Sequence, residues 1–557
     1  MKYLQYPLAI LVLSFASSCQ QEYRVADLII KNAIIWTGNE HQPRAEAMAI
    51  SADTILAVGS NVEVMQFVGS NTIISDLNGK FVTPGFIDSH VHIFFGGFNL
   101  ASVKLRDART PAEFINRIAA FAKTQKPETW ILGGDWDGKE WAGLPEKSWI
   151  DSVTSENPVF VFRLDGHMAL ANSLALKLTT IEKSVENVDG GIIIRDKAGE
   201  LTGVFKDNAM NLIFNKLPPP SSEAIDNALS VAMNYMASNG VTSVHALWDE
   251  SDAVGYPEGI ERARKNNTLI TRFYAMGSLK NWKIISDKVK VQGKGDHWLR
   301  IGAVKGFVDG SLGSHTAAFL DPFSDLQTDS GFFLHDEKEL YNWISNADKA
   351  GLHIAVHAIG DRAVHFLLNT YQQVESENGV KDRRFRIEHA QHIAQGDLER
   401  FAKLNVIASM QPYHAIDDGR WAEKIIGPIR IKSTYAFKSL LDNGTIVAFG
   451  SDWPVAPATP LEGIYSAVTR RTLDDKNPDG WVPEQKITVE QSLLAYTKYG
   501  AFASFEENIK GTLEVGKLAD FVILNEDITR INPVNISDTK IMQTYVGGKI
   551  VYDSKDN

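Results

Sequence analysis

The sequence predicts an α/β protein: a (β/α)8 TIM barrel, a small β-sandwich built from both chain ends, and a long insertion after the first barrel strand. Three observations predict it. Short apolar segments alternate with amphipathic ones through the middle of the chain. Strand-like segments punctuated by Gly, Asn and Asp occupy both ends. Residues from about 95 to 220 separate the first apolar segment from the second, too many for a βα loop.

Residues 1–19 stand apart from the fold. "MKYLQYPLAILVLSFASSC" has one lysine, an apolar run from Tyr6 to Phe15 and then small residues. That is the pattern of a secretory signal and is too short for a membrane span. Cys19 is the single cysteine of the chain, which excludes an intrachain disulfide. "FASSC" resembles a bacterial lipoprotein cleavage box, with Ala16 where leucine is usual. The resemblance implies lipidation of Cys19 and an exported, membrane-anchored lipoprotein of the periplasm or outer membrane. The alternative is an ordinary signal cut near Ser18. No later segment has the length and polarity of a membrane span.

Residues 24–82 form the N-terminal part of the sandwich, in "DLIIKNAIIWT", "AMAISADTILAVGS" and "TIISDLNGKFVTPGF". Residues 501–557 form the rest, with "LADFVILNED" and the hairpin "TYVGGKIVYD" turning at Gly547-Gly548. Residues 83–500 form the barrel. Its eight strands are read in "FVTPGFIDSHVHI", "VTSVHAL", "LITRFYAMG", "IGAVKGFVDG", "LHIAVHAIG", "FRIEHAQ", "NVIASMQPY" and "TIVAFGSDW". Helical patterns such as "SSEAIDNALSVAMNYMASNG" and "KELYNWISNADKAG" lie between them. The insertion should carry its own structure over the catalytic end of the barrel. Its tryptophans, in "WILGGDWDGKEWAGLPEKSW", either line a pocket or pack the insertion onto the barrel.

The 557 residues are 44% hydrophobic and 22% charged, with a net charge of −12. That is an ordinary globular balance. Without a basic stripe, nucleic acid is not an expected partner. The oligomeric state is left open.

Polar residues collect where a barrel does chemistry. His90 and His92 are two apart on the first strand, so they share a face beside Asp88. His357 ends the fifth strand, His389 the sixth and Asp452 the eighth, and Lys305 lies in the fourth. All would converge on the C-terminal mouth, where barrel active sites lie. A lone His-x-His would read as two structural histidines; six polar groups aimed at one mouth do not. Lys305 sits in an apolar run where an ammonium group is costly.

The order His-x-His, Lys, His, His, Asp resembles the binuclear members of the amidohydrolase superfamily. "TPGFIDSHVH" looks like their first-strand signature and "GTLEVGKLADFVIL" like their sandwich signature. "VKGFVDGSLGSHTA", "HAIGDRAV", "RIEHAQ", "GSDWPV" and "RLDGHMALANSLAL" are similar to amidohydrolase family 3, the group of N-substituted formamide deformylases. The resemblance implies two divalent metal ions, with zinc the default and manganese or iron compatible with the same ligands. It implies His90, His92 and Asp452 on the first ion and His357 and His389 on the second. Lys305, carboxylated by CO2, would bridge them. Only a neutral amine attacks CO2, and burial among cations favours that form. Asp452 would move the proton, and His167 would reach in from the insertion as a catalytic contact.

Asn172, Asp309, His315, Arg362 and His414 are candidate substrate contacts, with Asp309 and Arg362 also candidates for orienting ligands. His315 and Lys206 depart from the family pattern. The activity implied is metal-dependent hydrolysis of a carbon–nitrogen bond in a small, non-peptide amide-type substrate. Cyclic amides, lactones or N-acyl amino acids are alternative substrates for the same site. A non-catalytic small-molecule-binding lipoprotein is the alternative of a different class.

Overall fold

The computed structural model describes residues 25–556 except 137, 139, 140, 142, 164–167, 189, 190 and 248–255. Cys19, the signal segment and His167 therefore lie outside the described residues. Eight parallel strands form the centre: β1 (Phe86–Val91), β2 (Val241–Leu247), β3 (Arg272–Ser278), β4 (Leu299–Phe307), β5 (His353–Ala358), β6 (Arg386–His389), β7 (Ile407–Met410) and β8 (Val447–Phe449). They lie in sequence order, and a parallel bridge from Val91 to Trp453 brings the two outer strands together. Each of the eight segments read from the sequence supplies one strand.

One boundary differs. "FVTPGFIDSHVHI" reads as a single strand but is two. Phe81–Pro84 pairs with Phe521–Leu524 in the sandwich, and Phe86–Val91 pairs with β2 in the barrel. Gly85 is the joint: a Cβ there would lie 2.2 Å from the Thr242 hydroxyl oxygen. The chain changes sheets where only glycine lets strands pass this closely.

The sandwich is built from both ends. One sheet holds Leu28–Lys31, Ala47–Ser51, Thr54–Gly59 and Ile73–Asp76. The other joins three N-terminal strands, through Phe81–Pro84, to the adjacent C-terminal strands Phe521–Leu524, Ile541–Val546 and Lys549–Asp553. Gly547 and Gly548 turn the last hairpin at positive φ (55° and 71°). Ile30, Ile50, Val82, Phe521 and Ile523 fill the space between the sheets. Asp520 locks this unit to the barrel through a buried two-point ion pair with Arg272 (2.6 and 2.9 Å).

The barrel helices follow their patterns. Ser222–Ser238 starts on the Ser221 cap, whose hydroxyl accepts the Ala224 N–H, and buries Ile225, Leu229, Met233 and Met236 at helical spacing. Glu337–Lys349 starts on the Asp336 cap. Their apolar faces join the strands' outward residues in one large core.

The insertion holds a six-stranded sheet from Val103–Lys104 to Leu201–Asp207. Strand alternation puts Val161, Leu170 and Val204 on one face and Phe160, Ala169 and Phe205 on the other, each with its own core. The tryptophans behave as neither alternative anticipated. Trp136 stacks on Trp141 at 5.7 Å, and both pack with Phe114 inside the insertion's own core.

Candidate metal centre

The first cluster follows from two adjoining strand ends. Asp88 and His90 alternate on β1, and His92 follows the strand as the N-cap of the helix Ile93–Ala101. Beyond β8 the chain returns beside them: Asp452 N–H donates to His90 O (2.7 Å), and His92 N–H donates to Trp453 O (2.8 Å). These bonds bring Asp452 Oδ1 to 3.3 Å from both His90 Nε2 and His92 Nε2. Asp452 reaches this place at φ +61°, a conformation that costs a non-glycine residue on the order of 1–3 kcal/mol. His389, at the end of β6, has φ +69°. Two residues of the cluster thus carry a positive φ.

Three histidines are oriented by acceptors. His90 Nδ1 lies 2.6 Å from Glu388 Oε2, His389 Nδ1 2.8 Å from Gln411 Oε1, and His357 Nε2 3.1 Å from Gly310 O. Each acceptor takes the ring N–H, so the opposite nitrogen carries the lone pair. The rings are neighbours: His90 and His389 are 4.8 Å apart between centroids, and His357 and His389 4.5 Å. Burial pushes His357 down to about 3 and His389 well below its ordinary value, with the Lys305 charge acting in the same direction. Both imidazoles are therefore neutral, as metal ligation needs. Burial opposes the Asp452 carboxylate, but His90 and His92 outweigh it and hold its pKa well below the usual range.

Lys305 is 3% exposed, and its Nζ lies 4.2 Å from the centroid of the Phe307 ring. In the β4–β5 register it sits opposite Ala355, one inward position before the Phe307–His357 pair. Its charge bears on His90, His357, His389 and Glu388.

Two sets of three donors could each hold an ion: His90 with His92 and Asp452, and His389 with His414 and Asp452. Among the described residues, His90 Nε2 and His414 Nε2 are buried with no hydrogen-bond partner. Imidazole nitrogens gathered around one carboxylate are the donor set that suits a divalent transition metal.

Glu388 is a functional residue that the sequence reading passed over. Its Oε2 holds His90 and accepts the Ser409 hydroxyl (2.7 Å), while its Oε1 accepts Arg386 Nε (2.7 Å). Arg386 also donates to His245 Nδ1, Ser89 O and Ser409 Oγ, and is fully buried. The signal was present: "RIEH" puts two opposite charges at i and i+2 of an apolar strand, the same oddity that singles out Lys305. Gln411 carried no comparable signal.

Four expected substrate contacts have other partners. Asn172 caps the helix Ser173–Leu178, accepts the Val159 and Ala175 N–H groups (3.0 and 2.8 Å), and donates to Thr154 and Asn157. Its polar atoms are all engaged inside the insertion. Asp309 accepts the N–H groups of Ala318, Ile359 and Gly360 at 2.8–3.0 Å and lies 3.5 Å from His357 Nε2. Burial pushes its carboxyl up to about 7. It clamps the loops after β4 and β5 and seats His357. His315 pairs with Asp325 (3.1 Å) and packs on Phe323 within its own loop. Arg362 lays its guanidinium over Phe333 at 4.6 Å. Only His414 of the five joins the donor cluster.

The pattern of the amidohydrolase family matches residues 74–552. "Protein LONG AFTER FAR-RED 3" of Arabidopsis thaliana is 40% identical over 95% of this chain and 92% of its own. The N-substituted formamide deformylase of Arthrobacter pascens is 27% identical over 95% of this chain and 99% of its own. Among solved structures, an uncharacterized metal-dependent hydrolase from Pyrococcus furiosus superposes with a TM-score of 0.76 at 27% identity, covering 90% of this chain and all of that one.

Proposed function

The chain belongs to the amidohydrolase family and is a metal-dependent hydrolase of carbon–nitrogen bonds; from that premise we propose that it uses a binuclear centre to cleave a small, non-peptide amide. The observation that carries this reading is the approach of His90 Nε2 and His92 Nε2 to one Asp452 oxygen, with His357, His389 and Lys305 in the same mouth. His90, His92 and Asp452 would hold one ion and His357 and His389 the other. Lys305, carboxylated by CO2, would serve both. Zinc suits these donors. When bound, the ions supply a lowered water pKa and polarisation of the scissile carbonyl.

The chain's own residues do the rest. Glu388, Gln411 and Gly310 fix the tautomers of His90, His389 and His357, so three lone pairs point inward. Asp452 accepts the proton of the attacking water as its oxygen bonds to the carbonyl carbon. It returns that proton to the nitrogen as the C–N bond breaks. The relative named for N-substituted formamide deformylation supports an amide as the substrate class. Export as a lipoprotein is part of the proposal, and a diacylglycerol mass on Cys19 of the mature protein would test it.

The test is a hydrolysis screen on metal-loaded protein, covering N-formyl and N-acyl amines, N-acyl amino acids, cyclic imides and lactones. Turnover of amides is expected. Turnover of lactones alone would overturn the reading. Lys305→Ala should lose one or both ions, with partial rescue by short carboxylic acids that replace the carbamate. Full metal retention in that variant would exclude the carbamate.

A further inference from the structure

We infer that His414 is a protein ligand of the second metal ion, a role deepening the binuclear reading on which it rests. Three observations carry it. His414 Nε2 is closed off from solvent and, among the described residues, has no hydrogen-bond partner, a costly state for a ring nitrogen in the interior. His90 Nε2 bears the same signature and belongs to the first donor set. One ligand atom each from His389, His414 and Asp452 lies within 4.8 Å of the other two, so one ion can reach all three.

The local fold supports the placement. His414 lies in the first turn of the helix Pro412–Asp418, directly after β7, with Pro412 opening the helix. The residue before that proline is Gln411, which accepts from His389 Nδ1 and so turns His389 Nε2 inward. One five-residue segment, Met410 to His414, thus orients one donor and supplies another. A substrate contact would suit an accessible nitrogen; His414 Nε2 is not accessible. The second ion would then be held by His389 and His414, with Asp452 within reach of the same point and His357 beside them.

The experiment measures zinc per chain and zinc affinity, by elemental analysis and chelator competition, for wild type, His414→Ala and His414→Gln. Cobalt-substituted protein adds a visible spectrum that reports coordination. About two ions on wild type and about one on each variant are expected, with affinity for the second ion weakened at least tenfold and the cobalt bands altered. The glutamine variant keeps the volume and covers the case in which the alanine variant does not fold. Two ions of unchanged affinity with unchanged cobalt bands on a folded variant would overturn the inference and leave the binuclear reading standing. A single ion on wild type, or none, would overturn both.

Discussion

At the scale of single residues the centre depends on groups that touch no metal. Glu388 is the clearest. It is fully buried, and although burial opposes its ionisation, Arg386 and His90 hold its pKa well below the usual carboxylate range. Removing it has two separable effects. Glu388→Ala strands the buried Arg386 guanidinium and should destabilise the fold by about 3–5 kcal/mol. Glu388→Gln keeps an oxygen for Arg386 but takes the negative charge from the acceptor of His90 Nδ1. Metal affinity should then fall roughly 10- to 100-fold at a smaller stability cost. Chelator competition and urea titration read the two effects independently. A glutamine variant with unchanged affinity would show that His90 needs no charged partner. Lys305 was legible because a lone lysine in an apolar strand demands a reason. Arg386 and Glu388 were equally odd but, as opposite charges two apart, passed for a routine ion pair.

At the scale of elements the packing of β1 against the tail of β8 sets the geometry of the first donor set. The helix Ile93–Ala101 follows His92 directly, and its Gly96 lies against the Trp453 ring. A Cβ at position 96 would stand 2.2–2.4 Å from three atoms of that ring. Trp453 has little room to retreat, since Tyr235 stacks on it at 5.1 Å. Gly96→Ala should therefore push Trp453, and with it the neighbouring Asp452, away from His90 and His92. The expected cost is about 1–3 kcal/mol of stability, together with weaker binding of the first ion, read by thermal melting and metal titration. Normal binding in a folded variant would mean that the loop absorbs the shift. All eight barrel strands were legible because apolar runs alternating with helices admit few other arrangements. The crossing at Gly85 was not: a period of two continues through the joint, and only Thr242, remote in sequence, reveals that the strand has changed sheets. The paired tryptophans Trp136 and Trp141 were misjudged for a similar reason. Composition marks aromatic residues as buried but does not say against what.

At the scale of the whole molecule, the barrel keeps polar groups in its interior far from the mouth, and this makes stability depend on pH. Lys510 and Glu506, each 3% exposed, pair at 2.8 Å, and Lys510 donates to Ser243. His353 bonds Tyr274 (2.8 Å) and the Arg384 carbonyl (2.7 Å). Burial, followed by the Arg386 charge, pushes His353 down to about 3. In the loop beyond β6, burial, followed by the Arg430 charge, likewise pushes His392 down to about 3. An unfolded histidine titrates near 6.5. Between about pH 6.5 and 3 the unfolded chain binds protons that these two side chains refuse while folded. Stability is therefore unaffected by them above pH 6.5 and falls as the pH drops below it. Each contributes a slope of about 1.4 kcal/mol per pH unit. His353→Gln keeps a partner for Tyr274 and removes the titration. The fall in unfolding free energy between pH 6 and pH 4, followed by denaturant titration, should be shallower in this variant by about 1.4 kcal/mol per pH unit. Equal slopes in wild type and variant would mean that His353 accepts its proton in the folded state, which its two hydrogen bonds inside the barrel argue against.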